Sequence, residues 1–340
     1  MKLAILGYYG ANNAGDDRIQ LAIKAGLSQH ELSFFHAWGD LKTKRNEIEG
    51  HDCLIIGGGG LIIRNANAHC ELLEAITIPL VILGISISRN SKDNRKFIGL
   101  ISRKAIFINV RDQVSADIFK RHSPKCEVLK SFDLTFLIPF QPNDSAVNSQ
   151  RIGISLRTWH DFKAEQFSYL YHRKNWLRHQ LKKVNVNYPI LKYWDIKLFE
   201  SIILQVPGNK IGILMDGEKD RNALNSIKLD AIQNFDPATF SQLEVVIAMR
   251  LHTCIFATQM GIPFIALNYM EKVRNYCKEI NHEEYCLDLN EMHKLQAAID
   301  SIRGNRQEVI GSLLAKRKDG QNSSRMAFES VIAVIDQLGR

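Results

Sequence analysis

Residues 248–273 read AMRLHTCIFATQMGIPFIALNYMEKV and place two polar side chains, Arg250 and His252, between apolar segments. The apolar residues before the pair predict a buried strand. Those after it predict a helix that Gly261 ends, with a second strand beyond. Ligands of parallel α/β sheets bind at the carboxyl ends of strands, beside helix N-termini. Arg250 and His252 therefore stand where such a fold would bind a ligand.

Short apolar segments recur along the whole chain. They predict strands at 2–7, 53–57, 80–85, 105–110, 151–156, 211–215, 244–249 and 263–268. Most of the intervals between them are long enough for a helix, and such alternation predicts parallel sheets. We therefore expect an α/β protein with two Rossmann-like parallel-sheet domains.

The polar segment QPNDSAVNSQ, residues 141–150, predicts a linker between the two domains. We expect an N-terminal domain over 1–145 and a C-terminal domain over 150–322, because 340 residues suit two cores better than one. The amphipathic stretch 323–340 predicts a helix that packs back on the first domain.

The composition, with 45% hydrophobic and 24% charged residues, is that of a globular protein. No apolar segment is as long as a membrane-spanning helix, and the apolar run after Lys2 is too short for a signal peptide. The six cysteines form no CxxC pair and no cluster with histidines at zinc spacing, so we expect free thiols and no metal site. These features together predict a cytoplasmic protein.

Residues 157–183 concentrate basic and aromatic side chains, and Lys and Arg far outnumber Asp and Glu there. A charge run of this kind is most often a solvated helix surface. The alternative is a docking surface for an anionic membrane or a lipid pyrophosphate, because Trp159 and Trp176 among cations suit a membrane interface. No nucleic-acid-binding motif is present, so no nucleic acid partner is expected.

The segment after the first predicted strand, GYYGANNAGDD at 7–17, is rich in glycine, which lets the backbone turn tightly. Asn13 and Asp16 lie where the next helix should begin. Asp16 is either the N-cap of that helix or a carboxylate that takes a proton from a hydroxyl group.

The second predicted strand ends in GGGG, residues 57–60, and the apolar residues after it predict the start of a helix. The run is neither a Walker A loop nor a GxGxxG turn. Gly58 and Gly59 would allow either the close approach of a ligand to the backbone or close packing.

Two further arginines follow predicted strands. Arg111, in INVRDQ, is a candidate for substrate binding, but with Asp112 adjacent a local structural role competes. Arg157, in IGISLRTW, follows the first strand of the second domain, so Arg157 and Arg250 should share one rim of its sheet, facing the cleft between the domains. Guanidinium groups suit the oxygens of carboxylates and phosphates.

These segments resemble the polysaccharide pyruvyl transferase family, whose members transfer the enolpyruvyl unit of phosphoenolpyruvate to a sugar as a cyclic ketal and release phosphate. The matching segments, in family order, are GYYGANNAGD, IIGGGG, INVRD with Ser115, SFDLTF, IGISLRTW, and AMRLHTCIFA with GIPFIAL and Lys272. The resemblance implies a glycosyltransferase-B-like architecture with the active site in the cleft between the domains.

The resemblance places Arg157, Arg250, Leu251 and His252 at the phosphoenolpyruvate site and Asp16 at the glycine-loop aspartate. Two arginines and helix N-terminal amides can neutralise a phosphate and a carboxylate, so neither a metal nor a cofactor is expected. We expect His252 as the acid and Asp16 as the base, although the two roles could be exchanged. The further residues expected to bind substrates are Asn13, Gly58, Gly59, Arg111 and Lys272.

The resemblance also implies an acceptor, the sugar of a cell-surface polysaccharide precursor that a lipid carrier holds at the inner face of the membrane. Residues 157–183 would then bring the protein to that membrane as a peripheral contact. The family's pattern is broken at Asp133-Leu134, at GISIS (84–88) and at ILMDGEKD (213–220), which leaves the identity of the acceptor open.

Two other functions compete with this one. The first is a glycosyltransferase of the same architecture that uses a nucleotide sugar, since such a donor also brings phosphates to a helix N-terminus. The second is a non-catalytic protein that binds an anion or a sugar.

Overall fold

The computed structural model describes residues 1–37, 41–62, 67–87, 92–141, 150–157, 200 and 202–339. The chain divides into two compact units, which we call unit 1 and unit 2. Unit 1 comprises Met1–Pro139 with Lys316–Arg340, and unit 2 comprises Phe140–Ala315. Each unit contains one six-stranded sheet.

The strands of unit 1 are β1 (Lys2–Gly7), β2 (Glu31–His36), β3 (Cys53–Ile62), β4 (Leu80–Ile87), β5 (Ala105–Val110) and β6 (Val128–Lys130). Its helices include α1 (Ala14–Gly26), α2 (Leu41–Glu49), α3 (Asn67–Ala75), α4 (Lys92–Lys104) and α5 (Gln113–Arg121), and a 3₁₀ turn follows at Leu134–Leu137. The strands pair in parallel in the order β2-β1-β3-β4-β5-β6. Every residue of β4 is buried, as expected where helices cover both faces of a parallel sheet.

The strands of unit 2 are β7 (Arg151–Ser155), β8 (Asn209–Leu214), β9 (Ala231–Asn234), β10 (Val245–Ala248), β11 (Phe264–Asn268) and β12 (Cys286–Asp288). Its helices include α6 (Gly217–Leu224), α7 (Pro237–Phe240), α8 (Leu251–Met260), α9 (Glu271–Glu279) and α10 (Leu295–Gly304). The strands pair in parallel in the order β12-β11-β10-β7-β8-β9. The last helix, α11 (Arg306–Leu338), begins in unit 2 and ends in unit 1.

The C-terminal part of α11 contributes to the core of unit 1. Phe328 is buried in the same apolar cluster as Leu3 of β1. Ser324 Oγ donates a hydrogen bond of 3.0 Å to the carbonyl oxygen of Asp133. This helix and α1 cover one face of the sheet, whereas α2 to α5 cover the other. Unit 1 resumes at Lys316, which precedes the start predicted for the packed helix at residue 323.

Both sheets reverse their strand order once, between β1 and β3 in unit 1 and between β7 and β10 in unit 2. Such a reversal opens a crevice at the carboxyl ends of the two strands, and ligands of open α/β sheets bind there. In unit 2 the last residues of these strands, Ser155 and Ala248, are register partners. Arg157 and Arg250 stand the same short distance along the chain beyond them. The strand order therefore brings the two arginines to one rim of the sheet.

The predicted fold class, α/β with two parallel sheets, is confirmed, and a strand lies at each of the eight predicted positions. The strands β2, β6, β9 and β12 were not predicted, because they lack an unbroken apolar run. Three of these strands have at most four residues. All four lie at the edges of their sheets. The predicted helix start after GGGG is wrong, since β3 continues through the glycines to Ile62.

The basic segment 157–183 lies outside the described residues except for Arg157, and so does most of the predicted linker. Among the helices that the structure describes, none is both long and apolar enough to cross a membrane.

Candidate functional site

The loop that carries Arg250 is tied to the end of β7. The backbone N–H of Met249 donates a hydrogen bond of 2.8 Å to the carbonyl oxygen of Ser155. The hydroxyl groups of Ser155 and Thr253, both fully buried, lie 2.8 Å apart. These bonds join the end of one strand to the first turn of α8, so the position of Arg250 on the rim is rigid.

Arg250 is the N-cap residue of α8, and its side chain makes no capping hydrogen bond. Its guanidinium group is bound by two acidic residues of the β8–α6 region. Nε donates to Asp220 Oδ1 at 3.0 Å, and Nη2 donates to Asp216 Oδ2 at 3.1 Å and to Asp220 Oδ1. Burial alone would lower the pKa of Arg250, but the Asp220 and Asp216 carboxylates raise it overall, so the side chain stays charged.

Asp220 is fully buried and is itself held by the backbone. Its Oδ2 accepts hydrogen bonds from the N–H groups of Met215 and Asp216, at 3.0 and 2.9 Å, which directs Oδ1 towards Arg250. Both aspartates belong to the segment ILMDGEKD, residues 213–220.

Arg157 contacts a tyrosine that the sequence analysis did not single out. The guanidinium carbon of Arg157 lies 5.5 Å from the ring centroid of Tyr269, and Nη1 donates to the Tyr269 hydroxyl at 3.4 Å. Tyr269 is 4% exposed and directly follows β11. The sequence signal for Tyr269 was its position directly after a strand. That strand, β11, lies next to β10 and β7, and the residues that follow these three strands line the same rim.

Three cations, Lys272 and the two arginines, act electrostatically on the Tyr269 hydroxyl group. Burial raises the pKa of Tyr269, but Lys272, Arg157 and Arg250 together lower it below its ordinary value. Lys272 lies in the first turn of α9. We call Arg157, Arg250, Lys272 and Tyr269 the cationic cluster.

Leu251 and His252 occupy the first turn of α8, directly after Arg250. Leu251 is buried, whereas His252 is half-buried. The imidazole ring of His252 lies 6.0 Å from the ring of Phe256, one turn further along the helix. The helix N-terminus carries a partial positive charge, so the histidine stands where an anion would be stabilised.

In unit 1, Asn13 is the N-cap of α1 and accepts from the backbone N–H groups of Gly15 and Asp16 at 3.1 and 3.4 Å. The alternative that Asp16 is the N-cap is therefore wrong. Asp16 lies in the first turn of the helix. Its carboxylate and, more strongly, burial raise the pKa of Tyr9.

Gly58 and Gly59 allow α1 to pack closely on β3. Both have positive φ angles, 72° and 83°. A Cβ atom on Gly58 would lie 2.1 Å from a side-chain carbon of Ile19, and one on Gly59 would lie 2.9 Å from Asp16 Oδ1. Of the two explanations for the glycine run, close packing is the one for which the structure provides contacts.

Arg111 forms a buried ion pair, although its partner is not the adjacent Asp112. Nη1 donates to Asp133 Oδ2 at 2.6 Å, and Nε and Nη2 donate to Ser86 Oγ at 3.2 and 3.0 Å. Asp112 instead caps α5 by accepting from the N–H of Ser115 at 2.8 Å. A structural role thus accounts for the contacts of Arg111.

The structure accordingly separates the predicted site residues. Unit 2 brings together Arg157, Arg250, Leu251, His252 and Lys272. Unit 1 brings together Asn13, Asp16, Gly58 and Gly59, and places Arg111 in a separate buried network. In the part of the chain that is described, no group of three or more His, Cys, Asp and Glu side chains is arranged to hold a metal ion.

The family model for polysaccharide pyruvyl transferase matches residues 11–271, well over half of the chain. The chain belongs to the polysaccharide pyruvyl transferase family. It is therefore a transferase, and its family implies a saccharide acceptor. The match spans every predicted site residue except Lys272, which follows its last residue. No curated protein matches the chain significantly.

Solved structures show similarity of fold across nearly the whole pyruvyl transferase chain. The S. aureus MnaA-UDP co-structure has a TM-score of 0.59 at 10% identity, covering 97% of this chain and 94% of that one. A UDP-GlcNAc 2-epimerase from Neisseria meningitidis bound to UDP-GlcNAc has a TM-score of 0.54 at 10% identity, covering 98% and 100%.

The spinosyn rhamnosyltransferase SpnG has a TM-score of 0.52 at 11% identity, covering 97% of the pyruvyl transferase chain and 100% of its own. Identities this low indicate the fold alone. The structural similarity confirms the predicted glycosyltransferase-B-like fold class.

Proposed function

We propose that this transferase moves the enolpyruvyl unit of phosphoenolpyruvate onto a sugar of a cell-surface polysaccharide precursor, as a cyclic pyruvate ketal, and releases phosphate. The cationic cluster supports this proposal. Its two arginines follow β7 and β10, the strands of the strand-order reversal in unit 2, and Arg250 is the N-cap residue of α8. Phosphoenolpyruvate carries a phosphate and a carboxylate on three carbons, and such a rim can neutralise both.

The members of the cluster differ in the groups that they contact. Arg250 is held by Asp216 and Asp220, and Lys219 lies 3.3 Å from Asp216. Arg157 and Lys272 lie beside Tyr269, whose pKa they lower. In this proposal the donor's phosphate contacts Arg157, Lys272 and the α8 N-terminus, with Arg250 held in place beside them.

The reaction moves protons at both sugar hydroxyls and at C3 of the donor. An acceptor hydroxyl loses its proton as its oxygen attacks C2 of the enol, while C3 gains a proton and becomes a methyl group. A second hydroxyl of the sugar then displaces phosphate from C2 and closes the ketal ring, and its proton leaves with the phosphate. His252, at the N-terminus of α8, is the proposed acid, since histidine carries protons readily near neutral pH. Asp16 remains a prediction for the base.

The decisive experiment is incubation of the purified protein with phosphoenolpyruvate and a panel of saccharide precursors, both free and lipid-linked. Acceptor-dependent release of phosphate, with the mass increase of a ketal pyruvate on the sugar, is the expected result. Sugar transfer from a nucleotide sugar with no reaction of phosphoenolpyruvate would instead favour a glycosyltransferase. The Arg157→Gln variant serves as the control for contaminating phosphatases, because it should lose the acceptor-dependent release.

A further inference from the structure

Tyr269 belongs to the cationic cluster, but the proposed reaction assigns it no role of its own. It follows β11, the neighbour of β10, and is almost completely buried. A buried tyrosine needs a partner for its hydroxyl group. Arg157, a cation, is one partner of the Tyr269 hydroxyl.

Two parts of Tyr269 contact the same guanidinium group. The aromatic face lies 5.5 Å from the Arg157 guanidinium carbon, within the range of a cation–π contact. The hydroxyl oxygen accepts from Nη1 of the same side chain at 3.4 Å. Arginine loses considerable rotamer entropy when it binds an anion, so a residue that already restricts it lowers the entropic cost of binding.

We propose that Tyr269 is a positioning residue of the anion site, where its ring and hydroxyl hold Arg157 ready for the phosphate or carboxylate of the donor. This inference rests on the proposed function of the cluster. It predicts that removing the hydroxyl weakens anion binding, and that removing the ring weakens it further.

The pH dependence of anion affinity gives a second, independent readout, because charged groups lie around Tyr269. Among the described residues they include Arg157 after β7, Arg250 at the start of α8 with Asp216 and Asp220 beyond it, and Lys272 in α9. The cations lower the pKa of Tyr269, so its phenol ionises below pH 10, the ordinary value. A phenolate would neutralise the cations that the donor needs. Anion affinity should therefore be full where Tyr269 is protonated and fall as the pH rises through its pKa.

The test compares Tyr269→Phe, which keeps the ring, with Tyr269→Leu, which removes it. Tyr276→Phe is the matched control, because the buried Tyr276 hydroxyl donates to Thr258 Oγ1 at 2.8 Å, outside the cluster. Calorimetry with inorganic phosphate and with phosphoenolpyruvate at neutral pH should show Kd raised about three- to tenfold in Tyr269→Phe, the scale of one typical intramolecular hydrogen bond. The rise should be larger in Tyr269→Leu and absent in the control.

The same titrations at alkaline pH separate a positioning role from a purely structural one. Wild type should lose affinity as Tyr269 ionises, and Tyr269→Phe should not show this loss. A Tyr269→Phe variant that is less stable but keeps the wild-type phosphate affinity and alkaline profile overturns the proposal.

A measurement without ligand guards against failure of the donor assignment. The ultraviolet difference between wild type and Tyr269→Phe reports the ionisation of Tyr269, and Arg157→Gln should move that ionisation to higher pH. An unmoved titration overturns the inference. Wild type that binds phosphate but not phosphoenolpyruvate contradicts the proposed donor alone, whereas wild type that binds neither anion contradicts both.

Discussion

Two buried tyrosines experience opposite electrostatic surroundings in the two units. Tyr9 follows β1 in unit 1, and burial together with Asp16 raises its pKa. Tyr269 follows β11 in unit 2, where burial acts in the same direction but the neighbouring cations lower its pKa overall. Both side chains stand at the carboxyl end of a parallel strand. At Tyr269 the neighbouring cations outweigh desolvation, whereas at Tyr9 desolvation prevails, so of these two positions the rim of unit 2 is the better candidate for an anionic donor.

Two buried arginines support the same contrast. The charge of Arg111 is matched by Asp133 inside unit 1, and its three donor nitrogens bind Asp133 and Ser86. Arg250 is also paired with aspartates, but Arg157 and Lys272 add positive charge beside it. A buried arginine at the end of a strand is thus weak evidence for a ligand. Several cations that act on one buried group are stronger evidence.

The largest expected effect tests whether the rim of unit 2 performs chemistry. His252→Gln should lower the turnover of phosphoenolpyruvate by about two to four orders of magnitude, the usual contribution of general acid–base catalysis. His282→Gln is the control, because the buried His282 ring packs on Phe264 and Nε2 is hydrogen-bonded to its carbonyl oxygen. The control should lose stability and keep its turnover. Near-normal turnover in folded His252→Gln would make that histidine structural.

The second effect concerns the arginine of unit 1. Arg111→Gln leaves Asp133 buried without a cation, so unfolding free energy should fall by about 3–5 kcal/mol. Chemical denaturation measures this loss, and calorimetry should show unchanged phosphoenolpyruvate affinity in the folded fraction. The double variant with Asp133→Asn should recover part of the stability, since neither charge remains. A weakened donor affinity with unchanged stability would return Arg111 to the substrate-binding residues.

Arg157→Ala should weaken donor binding and keep the stability of the fold, the reverse of what we expect for Arg111→Gln. The side chain is half-buried, so its loss should weaken phosphoenolpyruvate binding by about 2–3 kcal/mol, near the lower end for removing one partner of a charge pair. The melting temperature should stay close to that of wild type. Calorimetry beside thermal unfolding separates the two quantities. Equal donor affinity in the variant and in wild type would remove Arg157 from the site and end the contrast between the two rims.

The smallest expected effect per residue concerns the basic segment 157–183, which lies outside the described residues except for Arg157. If the positive charge of 157–183 contacts an anionic membrane, neutralising Arg173, Lys174, Arg178, Lys182 or Lys183 should each weaken vesicle binding by about 1 kcal/mol. Cosedimentation with phosphatidylserine vesicles measures this, and binding should decrease steeply with salt. If vesicles do not bind but the acceptor KM rises, the segment serves the acceptor instead. No change in either would leave a solvated surface.

Local sequence was sufficient for the central strands and for the arginines that follow them. A strand buried on both faces needs a continuous apolar run, and that run is visible without knowledge of its neighbours. The strands β2, β6, β9 and β12 lie at or near the edges and carry weaker patterns, so they were missed. The glycines of β3 were read as the end of a strand, because glycine usually interrupts regular structure.

Which residues meet was decided by strand order, and no local pattern encodes strand order. Arg157 and Arg250 share a rim because β10 pairs with β7, across a long separation in the chain. The same pairing of distant segments gives Arg111 its partner Asp133 in preference to the adjacent Asp112, and brings Tyr269 to Arg157. The sequence alone shows which side chains can bind an anion. Only the packing of the sheet determines which of them meet carboxylates and which meet one another, because those contacts depend on distances between residues far apart in the chain.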